Sequence, residues 1–152
     1  MKQSNKTVLI EPKINPSKLY LPFFQSLVQA GFPSPAEDFT DTKLDLNQFL
    51  IKHPSSTFFV RVAGDSMIEA GIFENDLVIV DRSLTPTSGQ IILAVVEGEF
   101  TIKKLIKQKN DIWLYPANSN YQPLKILDGT VFQVWGVVTY TIKKTSQGQG
   151  IY

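Results

Sequence analysis

Hydrophobic positions along this chain fall into short runs separated by polar and turn-forming residues, with little of the helical period. Residues 58–63, 76–81, 90–96, 99–106, 111–115 and 131–142 are rich in Val, Ile, Phe and Tyr, with Pro, Gly, Asn and Ser between them. That spacing predicts a series of strands and a compact, mostly β, mostly antiparallel fold. The run 91–96, IILAVV, is apolar on both faces, as in a central strand or one at a subunit interface. Glu97 and Gly98 make a two-residue hairpin signal between two of the strands. One helix is expected ahead of them. Asp45 is its N-cap with Gln48 three residues on, Leu46, Phe49 and Leu50 share a face, and Pro54 stops it. His53 falls in the last turn, where a helix C-terminus favours positive charge, and reads as a surface imidazole.

Residues 1–40 read differently. Pro12, Pro16, Pro22, Pro33 and Pro35 interrupt every helix there and leave 22–29 as the only candidate element. Such a segment cannot be a helix-turn-helix, which argues against a repressor carrying its own DNA-binding domain. The expected organisation is an extended, mobile N-terminal arm over 1–40, a β-rich domain over 41–144, and a polar, disordered tail over 145–152.

Composition narrows the chemistry. The chain has 152 residues, 43% hydrophobic and 19% charged, enough for one domain with a real core. Its net charge of +1 exerts no global pull on DNA or membrane. It has no cysteine and one histidine, so thiolate chemistry and a zinc site are excluded, and no cofactor is expected. No apolar run has the length of a signal peptide or membrane span, and the protein is expected to be cytoplasmic.

Within 60–81, one apolar run ends at Gly64 and Asp65, Ser66 follows at once, and the next run begins at Leu77. Ser66 therefore sits on a turn between strands. The strand over 99–106 carries Lys103 and Lys104. A serine hydroxyl is a poor nucleophile until a base takes its proton, and a lysine serves as base only when neutral. An ordinary lysine, with a pKa of about 10.4, is less than about 0.1% neutral at pH 7. Burial can lower that value by up to ~3–5 units, so an apolar niche would be part of the catalyst. Alternation places Lys103 with Thr101 and Leu105, and Lys104 with Phe100, Ile102 and Ile106, and does not choose between them. Asp65 and Ser66 also suit a plain turn or cap. Glu69, Asp76 and Asp81 read as ordinary loop and strand-end charges without the spacing of a metal loop.

The segments AGFPSP at 30–35, DLNQFLIKHPSSTFFV at 45–60, GDSMIEAGI at 64–72, NDLVIVD at 75–81 and GEFTIKKL at 98–105 together resemble the UmuD family. Its members are self-cleaving accessory subunits of error-prone DNA polymerase V, related to the LexA peptidase domain. The resemblance covers residues 20–143 in unbroken order. It implies Ser66 as nucleophile and Lys103 as base, in preference to Lys104 or to a Ser-His-Asp triad through His53. It also implies oxyanion donors in the amides of Ser66 and Met67, with Gly64 permitting a tight backbone approach. The bond cut would join Ala30 to Gly31, two small residues that let the backbone come close, in an arm that adds to a sheet edge within one subunit or across a dimer. Members often carry cysteine before this glycine, whereas LexA-like proteins commonly carry alanine, as here.

The implied partners are a second copy in a homodimer, a RecA filament on single-stranded DNA during the SOS response, and a UmuC-like Y-family polymerase. Direct nucleic-acid binding through Lys103, Lys104, Lys107 and Lys109 is not expected, since lysines interleaved on a strand usually form a solvated face. Two other readings share parts of this pattern. One is a non-catalytic dimeric interaction module of the same fold. The other, a leader-type signal peptidase, would need a membrane anchor for which no run here is long enough.

Overall fold

A computed structural model describes residues 9–10, 17–24, 30–31 and 41–146. Its elements are β1 (Leu9–Ile10), β2 (Leu21–Phe24), β3 (Asp41–Leu44), α1 (Leu46–Leu50), β4 (Thr57–Arg61), β5 (Leu77–Asp81), β6 (Ile91–Val96), β7 (Glu99–Gln108), β8 (Asp111–Tyr115), β9 (Leu124–Ile126) and β10 (Phe132–Ile142). Short 3₁₀ turns lie at Pro54–Ser56 and Ile68–Ala70. No helix among the described residues is long and apolar enough to cross a membrane.

The chain divides into two compact units, Lys13–Lys52 and Met1–Pro12 with His53–Tyr152. In the first, β2 and β3 pair antiparallel. Leu21–Phe24 is thus a strand within the proline-rich stretch, where Pro22 is tolerated because a two-stranded ribbon leaves outward amides unused. The remainder of the anticipated 22–29 element, at 25–29, lies outside the described residues, as do 1–8, 11–16, 32–40 and 147–152 of the arm and tail. The Asp45 carboxylate caps α1 by accepting from the Gln48 amide at 3.2 Å, and its other oxygen accepts from the Leu19 amide at 3.0 Å. The helix is shorter than its pattern implies. Ile51 is already extended, so His53 is not in its last turn but precedes the next 3₁₀ turn.

The second unit is one antiparallel sheet in the order β1-β4-β5-β10-β6-β7-β8-β9. The mostly antiparallel β architecture is as the pattern predicts. The pattern missed β1 and β9, each only two or three residues long, and stopped β7 short of Gln108. β6 is central, between β10 and β7. Its residues alternate between two buried clusters. Leu93 packs with Phe58, Val60, Val62, Met67, Ile72, Val78 and Val80, while Ile92 and Ala94 pack with Leu105 and Leu114. Because successive strand residues point to opposite faces, the doubly apolar run 91–96 supplies both clusters.

Two turns of backbone logic fix this register. Glu97 and Gly98 both have positive φ, 49° and 83°, the conformation of a type I′ turn whose twist matches the strands it joins, β6 and β7. At Gly136 the constraint is space. A Cβ there would lie 2.6 Å from Val80 Cγ1 and 2.9 Å from the Asp81 carbonyl oxygen. β10 shifts register beside this glycine and again between Val138 and Tyr140, which lets one long strand pair with β6 and then with β5. Gly136→Ala is expected to destabilise the protein by about 1–3 kcal/mol in urea titrations, through overpacking against the β5 backbone.

Candidate active site

Ser66 lies on the turn between β4 and the 3₁₀ segment Ile68–Ala70, and Met67, next to it, is buried in the larger core cluster. The buried thioether anchors the turn from below and leaves Ser66 half-buried. Gly64 takes φ 83° and an added Cβ would meet nothing within 4 Å, so the turn needs glycine for its left-handed conformation and not for close approach.

Lys103 reaches this turn from the middle of β7. Its Nζ donates to Ser66 Oγ at 2.8 Å, to Thr101 Oγ1 at 3.0 Å and to the Ile102 carbonyl at 3.1 Å. Across the ladder Lys103 stands opposite Ile92, which is fully buried, so the lysine stem shares its face with Ile92, Ala94 and Leu105. Burial in this apolar setting lowers the Lys103 pKa from the ordinary lysine value. Lys104 takes the other face, opposite Ile91 and Tyr115, and is half-buried there. The structure therefore separates two lysines that alternation alone left equivalent.

This arrangement can remove a proton from the serine. A charged ammonium has three donors, which match its three acceptors here. A neutral amine has two N–H groups and one lone pair. With the N–H groups engaged by Thr101 and Ile102, the lone pair faces the Ser66 hydroxyl. Among the described residues, neither the Ser66 nor the Met67 amide donates a hydrogen bond, so neither donor is already engaged.

Compared with known families, residues 22–139 match the one described as Peptidase S24-like. The chain belongs to the peptidase S24-like family. That family is of the serine peptidase class. The chain is 44% identical to Protein SamA of Salmonella typhimurium, over 91% of this chain and 96% of that protein. It is 38% identical to Protein MucA of Escherichia coli over 80% and 84% of the two chains. It is also 38% identical to the LexA repressor of Clostridium perfringens, over 68% of this chain and 51% of the repressor. The resemblance to UmuD-like proteins thus extends over most of the sequence.

Other anticipated residues fare variously. Ala30 and Gly31 are exposed bend residues of the Lys13–Lys52 unit. His53 is not a bare surface imidazole, since its Nδ1 lies 2.6 Å from Asp81 Oδ2. Asp81 is buried, and besides His53 it accepts from the Ser83 amide at 2.8 Å, the Ser83 hydroxyl at 2.6 Å and the Ser56 hydroxyl at 3.3 Å. Burial opposes its ionisation, but the bonds from Ser83 and His53 outweigh that and hold the carboxyl below the usual range. Asp76 is likewise buried, accepting from the Phe73 amide and paired with Lys143. Both carboxylates are buried struts where the sequence read as ordinary loop and strand-end charges. The signal available was that Asp81 ends the run Leu77–Asp81, whose alternation is lost because both faces are covered. Glu69 is exposed and accepts from the Ser119 amide at 2.9 Å.

Thr101 was discernible as a same-face neighbour two residues before Lys103. Asn118 and Tyr121 were not, because they follow β8 and reach the serine turn only through the fold. The Asn118 amide nitrogen donates to the Asp65 carbonyl at 2.9 Å, and the Tyr121 hydroxyl donates to the Asp65 carboxylate.

Lys103→Met is expected to raise the thermal midpoint by several degrees at neutral pH, because it relieves the burial of an ammonium. Since the folded-state pKa is lowered, the unfolded chain binds more protons between that value and the ordinary lysine value, and parent stability rises with pH there. The advantage of the variant should therefore shrink across that window, as followed by thermal melts at stepped pH.

Proposed function

We propose that this chain is a latent Ser-Lys peptidase that cuts itself once, between Ala30 and Gly31. The observation that carries this reading is the 2.8 Å contact between Lys103 Nζ and Ser66 Oγ on a lysine whose pKa burial lowers. Neutral Lys103 takes the Ser66 hydroxyl proton as Oγ attacks the Ala30 carbonyl carbon. The resulting oxyanion accepts from the Ser66 and Met67 amides. The Lys103 ammonium then returns the proton to the departing Gly31 nitrogen, leaving the fragment ending at Ala30 as an ester on Ser66. Water, deprotonated in turn by Lys103, hydrolyses that ester and regenerates the serine.

On this reading residues 1–40 are the arm that carries the cleaved bond, 41–144 the peptidase domain and 145–152 a tail. Family likeness to MucA supports a homodimer and a UmuC-like Y-family polymerase as partner of the product beginning at Gly31. A RecA filament on single-stranded DNA would promote the cut during the SOS response, in the cytoplasm, and permit translesion synthesis. The near-neutral net charge supports recruitment through protein partners over direct nucleic-acid binding.

Purified full-length protein held at alkaline pH is expected to yield two fragments by mass spectrometry, divided between Ala30 and Gly31. The rate should rise with pH and level off below the ordinary lysine pKa, because Lys103 is needed neutral and its value is lowered. Ser66→Ala and Lys103→Ala should stay intact, with losses of at least about a thousandfold. Cleavage in either variant, or no cleavage of the parent with or without RecA, ATP and single-stranded DNA, would overturn the proposal and favour a non-catalytic module.

A further inference from the structure

The segment after β8 lies directly against the serine turn. Ala117 uses both of its backbone groups there, its amide donating to the Ser66 carbonyl and its carbonyl accepting from the Glu69 amide, each at 2.8 Å. The Asn118 side chain is buried and donates to the Asp65 carbonyl at 2.9 Å, where the Ile68 amide also donates, more weakly, at 3.4 Å. Ser119 contributes its amide to Glu69, and Tyr121 its hydroxyl to Asp65. Asn118 also braces the segment itself, since its side-chain oxygen accepts from the Asn120 amide at 2.9 Å and its carbonyl from the Tyr121 amide at 3.1 Å.

Peptide planarity turns these contacts into a statement about direction. No described peptide bond is cis, so each carbonyl and the N–H that follows it are locked pointing opposite ways in one plane. The plane of the Asp65 carbonyl contains the Ser66 amide, and the plane of the Ser66 carbonyl contains the Met67 amide. Holding the two carbonyls back therefore aims the two amides forward. These are the amides that donate to nothing else among the described residues.

We propose that Asn118, together with the backbone of Ala117, is a positioning device that sets the orientation of the two oxyanion-binding amides, with Tyr121 steadying the same turn through Asp65. The inference rests on the Ser66–Lys103 reading above and deepens it. Asn118 is a positioning residue, since it touches neither the reacting atoms nor Lys103, whose Nζ contacts are Ser66, Thr101 and Ile102.

The test is self-cleavage of the full chain across alkaline pH. Asn118→Ala is expected to lower the limiting rate at high pH ten- to a hundredfold, as misaimed donors do. The pH midpoint should stay where the parent has it, because the niche around Lys103 is untouched. Tyr121→Phe, which deletes one hydroxyl from an exposed ring, should slow the limiting rate by a smaller factor of at least about two, again without moving the midpoint. An Asn118→Ala rate equal to the parent's would overturn the inference. So would a midpoint displaced toward the ordinary lysine value with the limiting rate restored, which would mean that the substitution merely opened the lysine niche. If Asn118→Ala does not fold by circular dichroism, Tyr121→Phe decides. Slowing at a fixed midpoint supports the device, and a parental rate overturns it. Cleavage by Ser66→Ala would instead strike the Ser-Lys reading itself.

Discussion

A lysine amine partly withdrawn from water against a serine hydroxyl is the contact on which the rest of this structure turns. Nothing in the chemistry of lysine favours that state. The amine reaches it because β7 is sandwiched between β6 and β8, with the fully buried Ile92 facing Lys103 across the ladder. The sheet enforces a partial loss of solvent that an isolated strand could not. Thr101 and the Ile102 carbonyl then occupy two of the lysine's donors, so that the third direction is left for Ser66.

Ser66 is held by different means. It sits on a turn, where backbone freedom would be large without anchors. Met67 drives one side of the turn into the core, and the segment from Ala117 to Tyr121 binds the other by hydrogen bonds to consecutive carbonyls. A strand thus supplies the lysine amine, while a braced turn supplies the hydroxyl and two amides that donate to no other described residue. On the proposed Ser-Lys reading, this division keeps the base in its niche and holds the donors ready for charge that appears only during reaction.

The buried carboxylates serve the scaffold in a similar way. Asp81 joins the end of β5 to His53, Ser56 and Ser83, and Asp76 joins the start of β5 to Phe73 and Lys143. Both flank the strand whose Val78 and Val80 line the core cluster that includes Met67. Their burial is tolerable because each carboxylate finds donors, and among the described residues no buried side-chain polar atom lacks a partner.

By itself the sequence determined the antiparallel β class, the long strands and the Glu97-Gly98 hairpin. These are local properties: alternation, β-branched content and turn chemistry act over a few residues and need no distant partner. Tertiary structure sets Lys103, the lysine that the resemblance implied and alternation left equal to Lys104, against the serine, with Lys104 on the other face of β7. It also decided the fate of His53 and Asp81, 28 residues apart, whose charges look superficial until a strand end and a 3₁₀ turn meet. The role of Asn118 was hidden for the same reason. It acts on a carbonyl 53 residues earlier in the chain, and a polar loop residue carries no mark of the backbone group it will hold.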